Sequence, residues 1–413
     1  MTTNTKKSAS FILTACILVN LSIGVLFAWS VIKRKLMLPI DVGGWGWSAV
    51  DAGLPYTLAI ICMAIGVLIG GRVQDSIGPR WVITTGGALA GLGLIFSGLI
   101  GNDPTSVIIF FGVVSGMGFG LCYGCVTPPA LKWFHPTKKG LVSGLIVGGF
   151  GMAPLYLAPL SSTLLINVGI ENTMMILGAS AILISIPLAQ FINNPPSGYI
   201  PPAPKSMKET VAKPAPAVDY TWREMIKTKR FYYIFFMYLF SASVGLMVIG
   251  KMSSIAYSAG ISNVGIIAGL VSFLAVTNSL GRVAGGMMAD KIGVINALHV
   301  VFILQAANMI GFMFYGSLVT IIIGIIFAGF CYGTLVAVFP VLTAGQYGLK
   351  NYGANYGIVF LSWGLAGAVA PIMADYLYQQ GKFDMALIIC AIVTALLVFV
   401  NILLKKDLSK VRG

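Results

Sequence analysis

The 413-residue chain is 57% hydrophobic and 9% charged, with a mean hydropathy of +0.91. This composition excludes a soluble globular domain and describes a polypeptide that lives in a bilayer. A net charge of +14 would suit a nucleic-acid binder, but the basic residues sit at the ends of apolar runs, where they report membrane topology instead.

Apolar runs long enough to span fall near 11–32, 54–73, 81–101, 105–131, 140–166 and 172–193, and again near 231–256, 263–289, 293–316, 318–344, 355–379 and 384–404. A hydrocarbon core of about 30 Å needs about 20 residues of helix, and no run alternates as the strands of an outer-membrane barrel do. The expected fold class is all-α integral membrane, with twelve transmembrane helices in two six-helix bundles. The bundles would occupy 1–193 and 226–413, joined by a linker at 194–225. Two lysines precede a first run too long for a signal peptide, so that run reads as a retained helix.

Lys6, Lys7, Arg72, Arg80, Lys132, Lys138 and Lys139 fall on one side of this topology, with Lys205, Lys208, Lys213, Arg223, Lys227, Lys229 and Arg230 of the linker region. Lys291, Lys350, Lys405, Lys406, Lys410 and Arg412 join them, against Lys33, Arg34, Lys35 and Lys382 opposite. The bias predicts both termini and the linker in the cytoplasm of a multi-pass protein of the cell (inner or plasma) membrane. Lys33–Lys35 is the local exception and would concentrate anions at the outer mouth. The linker carries Pro195, Pro196, Pro201, Pro202, Pro204, Pro214 and Pro216 among its lysines and cannot bury a core.

The two halves repeat each other. Gly70-Gly71-Arg-Val-Gln-Asp75-Ser-Ile-Gly78 matches Gly285-Gly286-Met-Met-Ala-Asp290-Lys-Ile-Gly293 at an offset of 215 residues. Cys122-Tyr123-Gly124 parallels Cys331-Tyr332-Gly333, Gly140–Pro154 parallels Gly357–Pro371, and Ser22-Ile-Gly24 echoes Ser243-Val-Gly245. Repeats in one orientation are how a class of transporters builds two halves about a midplane site. Gly71, Asp75, Gly78, Arg80, Gly286, Asp290 and Gly293 are expected to serve close helix approach and gating, each carboxylate sitting at a helix end within reach of Arg or Lys.

The halves differ where chemistry would be placed. At the same offset Arg282 faces Val67, and Asn278 faces Met63. Arg282 lies eight residues before Asp290, about 12 Å along the helix, at a depth where a bare charge costs about 3 kcal/mol. Asn278 shares its helix face. All twelve acids, Asp41, Asp51, Asp75, Asp103, Glu171, Glu209, Asp219, Glu224, Asp290, Asp375, Asp384 and Asp407, lie at ends, in loops or in the linker. Arg282 therefore has no obvious internal counter-ion, which leaves room for an anionic cargo and removes the buried carboxylate a cation site would use. The competing reading is an arginine that snorkels or bonds carbonyls to hold a helix joint.

Lys251, toward the outer end of its span, would draw anions inward or snorkel outward. Tyr123 and Tyr332 would offer hydroxyls, and Leu26, Phe27, Leu145, Phe339, Phe360 and Trp363 an apolar wall; each is equally open to plain packing. Cys122 and Cys125 read as small packing residues rather than a redox or metal pair, and His135 and His299 as neither metal ligands nor proton relays. No phosphate-binding, dinucleotide, zinc or paired-carboxylate pattern appears, so no cofactor, catalytic residue or metal is expected.

Gly71-Arg-Val-Gln-Asp75-Ser-Ile-Gly-Pro-Arg80, Pro55-Tyr56, Asn278-x-x-x-Arg282 and Asn355-Tyr-Gly357 together resemble the oxalate/formate antiporter branch of the major facilitator superfamily, a neighbour of the monocarboxylate porters. The resemblance covers nearly the whole chain and implies that Arg282 is the substrate-binding arginine. Where the dicarboxylate antiporter has a second cation this chain has Trp363, and where animal monocarboxylate porters have Asp it has Asn278. Asp41-Val-Gly-Gly-Trp-Gly-Trp47 is similar to a tryptophan signature of those porters, but it follows the first span rather than preceding it. One arginine balances one carboxylate. The expected protein is a non-enzymatic, monomeric carrier of small monocarboxylates such as lactate or pyruvate, with a proton as coupling ion. Anion exchange is the alternative, and a non-transporting receptor for organic anions the reading from another class.

Overall fold

Helices dominate the computed structural model, which describes residues 2–202 and 218–412. In chain order they are α1 (Thr2–Ile23), α2 (Ala49–Ile77), α3 (Pro79–Ile100), α4 (Gly116–Trp133), α5 (Lys139–Asn167) and α6 (Gly169–Ala189). After the linker come α7 (Lys229–Ser258), α8 (Val264–Ile292), α9 (Val294–Phe312), α10 (Leu318–Tyr347), α11 (Tyr352–Gln379) and α12 (Phe383–Arg412). Within the described residues eleven segments are long and apolar enough to cross a membrane, and α11, with 28 residues, is a further long helix. The chain is an all-α membrane protein, as its hydropathy requires.

Boundaries follow local chemistry more closely than hydropathy does. Ser48 caps α2 by accepting from Asp51 N, and Asn263 caps α8 by accepting from Ile266 N at 3.1 Å. Gly78 and Gly293, both at positive φ (87° and 85°), end α2 and α8 at matching places in the repeat; a side chain there would be strained. The first run is not one uniform helix: a 3-10 turn at Gly24–Ala28 separates α1 from Trp29–Leu36. The fourth opens with a π-helical stretch, Ile108–Ser115. Of the expected linker, Lys205, Lys208, Lys213, Pro204, Pro214 and Pro216 lie outside the described residues, while Trp222–Met225 forms a short helix behind a Thr221/Glu224 capping box.

The chain forms two compact units. One comprises Met1–His135, Gly149–Asp219 and Leu349–Gly364; the other comprises Pro136–Gly148, Tyr220–Gly348 and Leu365–Gly413. In the first, α2 and α4 pack backbone to backbone: a Cβ on Gly120 would lie 2.1 Å from Met63 O, and one on Gly66 would lie 2.6 Å from Met117 O. In the second, α8 and α10 do the same. A Cβ on Gly333 would lie 2.1 Å from Asn278 O and one on Gly329 2.1 Å from Thr277 Oγ1. Thr334 Oγ1 donates to Gly281 O at 3.3 Å across that seam. Small residues permit this approach where no water drives helices together.

Gly333→Val is expected to break the α8–α10 seam and lower the midpoint of thermal unfolding of the purified protein. Gly345→Ala, on the same helix with nothing within 4 Å of its Cβ position, leaves the midpoint unchanged.

Candidate functional site

Arg282 lies on α8, four residues after Asn278, in the second unit. It is 4% exposed. Its Nε donates to Asn278 Oδ1 at 3.3 Å, the bond the four-residue spacing allows. Its Nη1 donates to the main-chain carbonyl of Val147 at 2.6 Å. Both acceptors are neutral, and among the described residues the guanidinium has no carboxylate partner; Arg230 and Asp407 form an ion pair at 3.5 Å elsewhere in the unit. Arg282 thus braces a helix joint through a carbonyl, as the competing reading expects, and no carboxylate among the described residues pairs with it.

The joint is a glycine seam. Gly140, Gly144 and Gly148 share one face of α5 at four-residue spacing. A Cβ on Gly140 would lie 2.1 Å from Gly286 O, and one on Gly144 would lie 2.3 Å from Arg282 O. Asp290 closes the end of the seam: its carboxylate accepts from Gly140 N at 2.7 Å and Leu141 N at 2.8 Å. An acid at two free amides of a helix start is favoured by the helix dipole as well as by the bonds.

The first unit repeats this frame. Asp75 accepts from Gly353 N at 3.1 Å and Ala354 N at 2.9 Å at the start of α11. A Cβ on Gly353 would lie 2.1 Å from Gly71 O, and one on Gly357 would lie 3.1 Å from Val67 O. Asp75 and Asp290 therefore both cap helix starts through backbone amides. These contacts also correct the register of the repeat. Gly140 corresponds to Gly353 and Gly144 to Gly357, one helical turn away from the pairing that sequence spacing suggests, because glycines four apart look the same after a one-turn shift. In the corrected register Val147 corresponds to Phe360. Where the second unit has Arg282 bonded to a carbonyl, the first has Val67 and Phe360.

The other candidates divide between the units. Leu26 and Phe360 are buried in the first, with Phe27 half-buried. Phe27 meets Phe150 at 4.9 Å between ring centroids, Phe150 meets Tyr123 at 5.1 Å, and Tyr123 meets Phe360 at 5.3 Å. Phe360 stacks on Trp363 at 4.9 Å, so the place of a second cation belongs to an aromatic row. In the second unit Tyr332 packs its ring against α7 at Gly245, where a Cβ would lie 2.2 Å from it. Phe339 is fully buried and stacks on Tyr238 at 4.2 Å. Leu145 and Lys251 are half-buried. Arg80 is exposed, donating from Nε to Gln190 Oε1 at 2.6 Å and lying 5.3 Å from the Trp81 ring.

Two features were not read from the residues. The Val147 carbonyl is invisible in a sequence, although the glycine stripe on its helix was a signal of close approach. The tryptophan motif is a brace: Trp45 Nε1 donates to Glu171 Oε1 at 3.2 Å and Trp47 Nε1 to Asn102 Oδ1 at 2.5 Å. Lys35 Nζ donates to Val42 O at 3.0 Å, which ties part of the Lys33–Lys35 cluster to the same loop.

The model of the Major Facilitator Superfamily matches residues 9–323 and 276–412. The chain belongs to that superfamily. It is 26% identical over 388 residues to the oxalate:formate antiporter of Oxalobacter formigenes, covering 92% of this chain and 88% of that one. It is 24% identical over 374 residues to monocarboxylate transporter 12 of Homo sapiens, covering 84% of this chain and 69% of the relative. The solved structure of the human organic anion transporter MFSD10 (TETRAN) superposes with a TM-score of 0.72 at 13% identity, over 96% of this chain and 99% of that one. The protein is a membrane transporter of this superfamily.

Asp75→Ala and Asp290→Ala are each expected to remove two amide bonds at a helix start and about 1 kcal/mol of stability. The Asn variants, which keep one acceptor, should fall less far in a thermal unfolding series.

Proposed function

We propose that the protein is a secondary active carrier of small monocarboxylates of the lactate and pyruvate type, with the cargo's carboxylate bound by Arg282. One observation carries this reading: a guanidinium buried on α8 whose acceptors, Asn278 Oδ1 and Val147 O, are both neutral. A single uncompensated cation in a low-dielectric setting matches a single carboxylate, and a charge-assisted fork is the strongest bond available to it. Asn278 orients the carboxylate. Tyr332, Leu145, Phe339 and Lys251 line the cargo's route within their unit, as Leu26, Phe27, Tyr123 and Phe360 do within theirs. Gly71, Asp75, Gly78, Arg80, Gly286, Asp290 and Gly293 hold the two helix joints that open and close as six-helix bundles 1–193 and 226–413 alternate access. Both termini and the 194–225 linker face the cytoplasm of the cell (inner) membrane, and the protein works as a monomer.

The coupling we propose is proton symport. Exchange of one anion for another is the second reading. It is favoured by the absence, among the described residues, of a carboxylate paired with Arg282 that could take up the proton, and by the similarity to an oxalate:formate antiporter.

Proteoliposomes holding the wild type should take up labelled lactate or pyruvate, faster when the outside is acid if a proton accompanies the cargo. Arg282→Ala should lower uptake by about 10- to 100-fold, the worth of one charged hydrogen-bonding partner. Uptake of lactate, pyruvate, formate and oxalate by Arg282→Ala at the wild-type rate would sink the reading. Uptake that ignores the pH gradient but needs an anion preloaded inside would select exchange.

A further inference from the structure

We propose that the main-chain carbonyl of Val147 is a positioning group for cargo recognition, pinning Nη1 of Arg282 so that the Nε–Nη2 edge of the guanidinium is the one offered to a carboxylate. This rests on the reading of Arg282 as the cargo site and specifies how that site is built.

A carboxylate gripped by an arginine fork uses two neighbouring nitrogens, either Nη1 with Nη2 or Nε with Nη2. Nη2 has no hydrogen-bond partner among the described residues, whereas Nη1 is held by Val147 O at 2.6 Å and Nε by Asn278 Oδ1 at 3.3 Å. The bond at 3.3 Å lies past the usual range for N–H donors and is the weaker of the two. Its acceptor is a half-buried side chain that can rotate away. The Val147 carbonyl is fixed in the main chain of α5 and cannot. An incoming carboxylate therefore displaces Asn278 Oδ1 and meets the Nε–Nη2 edge, while Val147 holds the plane of the guanidinium. Because the pin is neutral, it orients the cation without lowering its charge.

The pin exists because α5 comes close enough. Gly140 and Gly144 face the α8 backbone where a Cβ would clash, and Asp290 ties the start of α5 to the end of α8. At Gly148 the seam has already opened: a Cβ there would meet Val283 Cγ2 at 3.6 Å, an ordinary contact. The matching positions of the other repeat, Phe360 and Val67, carry no cation to pin. The glycine frame is shared, and the carbonyl–arginine bond belongs to one unit alone. Cargo affinity and closure of the α5–α8 joint are thereby linked in the same direction.

Equilibrium binding of labelled pyruvate to the purified full-length protein tests this with two pairs of variants. Gly144→Ala pushes α5 from Arg282 and should raise the Kd about tenfold, whereas Gly148→Ala should stay within about twofold of wild type. Glycolic acid in place of Gly148 turns the Val147 carbonyl into a weaker ester acceptor and should also raise the Kd. Glycolic acid in place of Gly149 weakens the next carbonyl at the same cost in helix bonding and should leave the Kd unchanged. Wild-type Kd in both ester variants would overturn the proposal even if Gly144→Ala binds weakly, since helix spacing alone would then explain that loss. Equal weakening by the two esters would overturn it as well. Failure of the wild type to bind pyruvate at all would retire the functional reading, and this inference with it.

Discussion

A guanidinium buried in a membrane-spanning helix must be surrounded by acceptors, and the acceptors around Arg282 are an amide oxygen and a backbone carbonyl. Much of the second unit's local structure serves that requirement. A backbone carbonyl can reach an arginine on a neighbouring helix only when the helices nearly touch, which requires glycine at the crossing. Gly140 and Gly144 supply it on α5, and Gly286 does so on α8. A carboxylate partner would have satisfied the same cation more strongly, but it would have cancelled the charge. Neutral acceptors stabilise the arginine and leave it able to attract an anion.

The same frame without the cation occurs in the other unit. Asp75 and Asp290 cap equivalent helix starts, and Gly353 and Gly140 each press on a glycine carbonyl, Gly71 and Gly286. The two joints share their mechanics, while one carries Arg282 and the other Val67 beside a row of aromatic rings. Division of labour between the repeats accounts for why scaffold residues match and central residues do not.

Much of this was legible in the residues. Twelve apolar runs, the repeated glycine–aspartate motif and the depth of Arg282 all follow from composition and spacing. The register of the third repeat did not, because a stripe of glycines at four-residue intervals is self-similar under a one-turn slip; only the Asp290–Gly140 and Asp75–Gly353 bonds fix it. Breaks in the first and fourth runs, at Gly24–Ala28 and Ile108–Ser115, were hidden because hydropathy reports burial and not helical pitch. Trp45 and Trp47 were set aside as a displaced motif, yet their indole N–H groups find side-chain acceptors on other segments, Glu171 and Asn102. Val147 carried no signal of its own, since the group that matters there is common to every residue.

The central claim is that an uncompensated Arg282 is what this carrier offers its cargo. Equilibrium binding of labelled pyruvate to purified wild-type protein and to Arg282→Gln, a neutral side chain that can still hydrogen-bond, tests it most directly. Saturable binding at one site in the wild type and none in Arg282→Gln is the predicted result. Equal affinity in the two proteins would contradict the account, because the charge at the centre of α8 would then have no part in holding the anion.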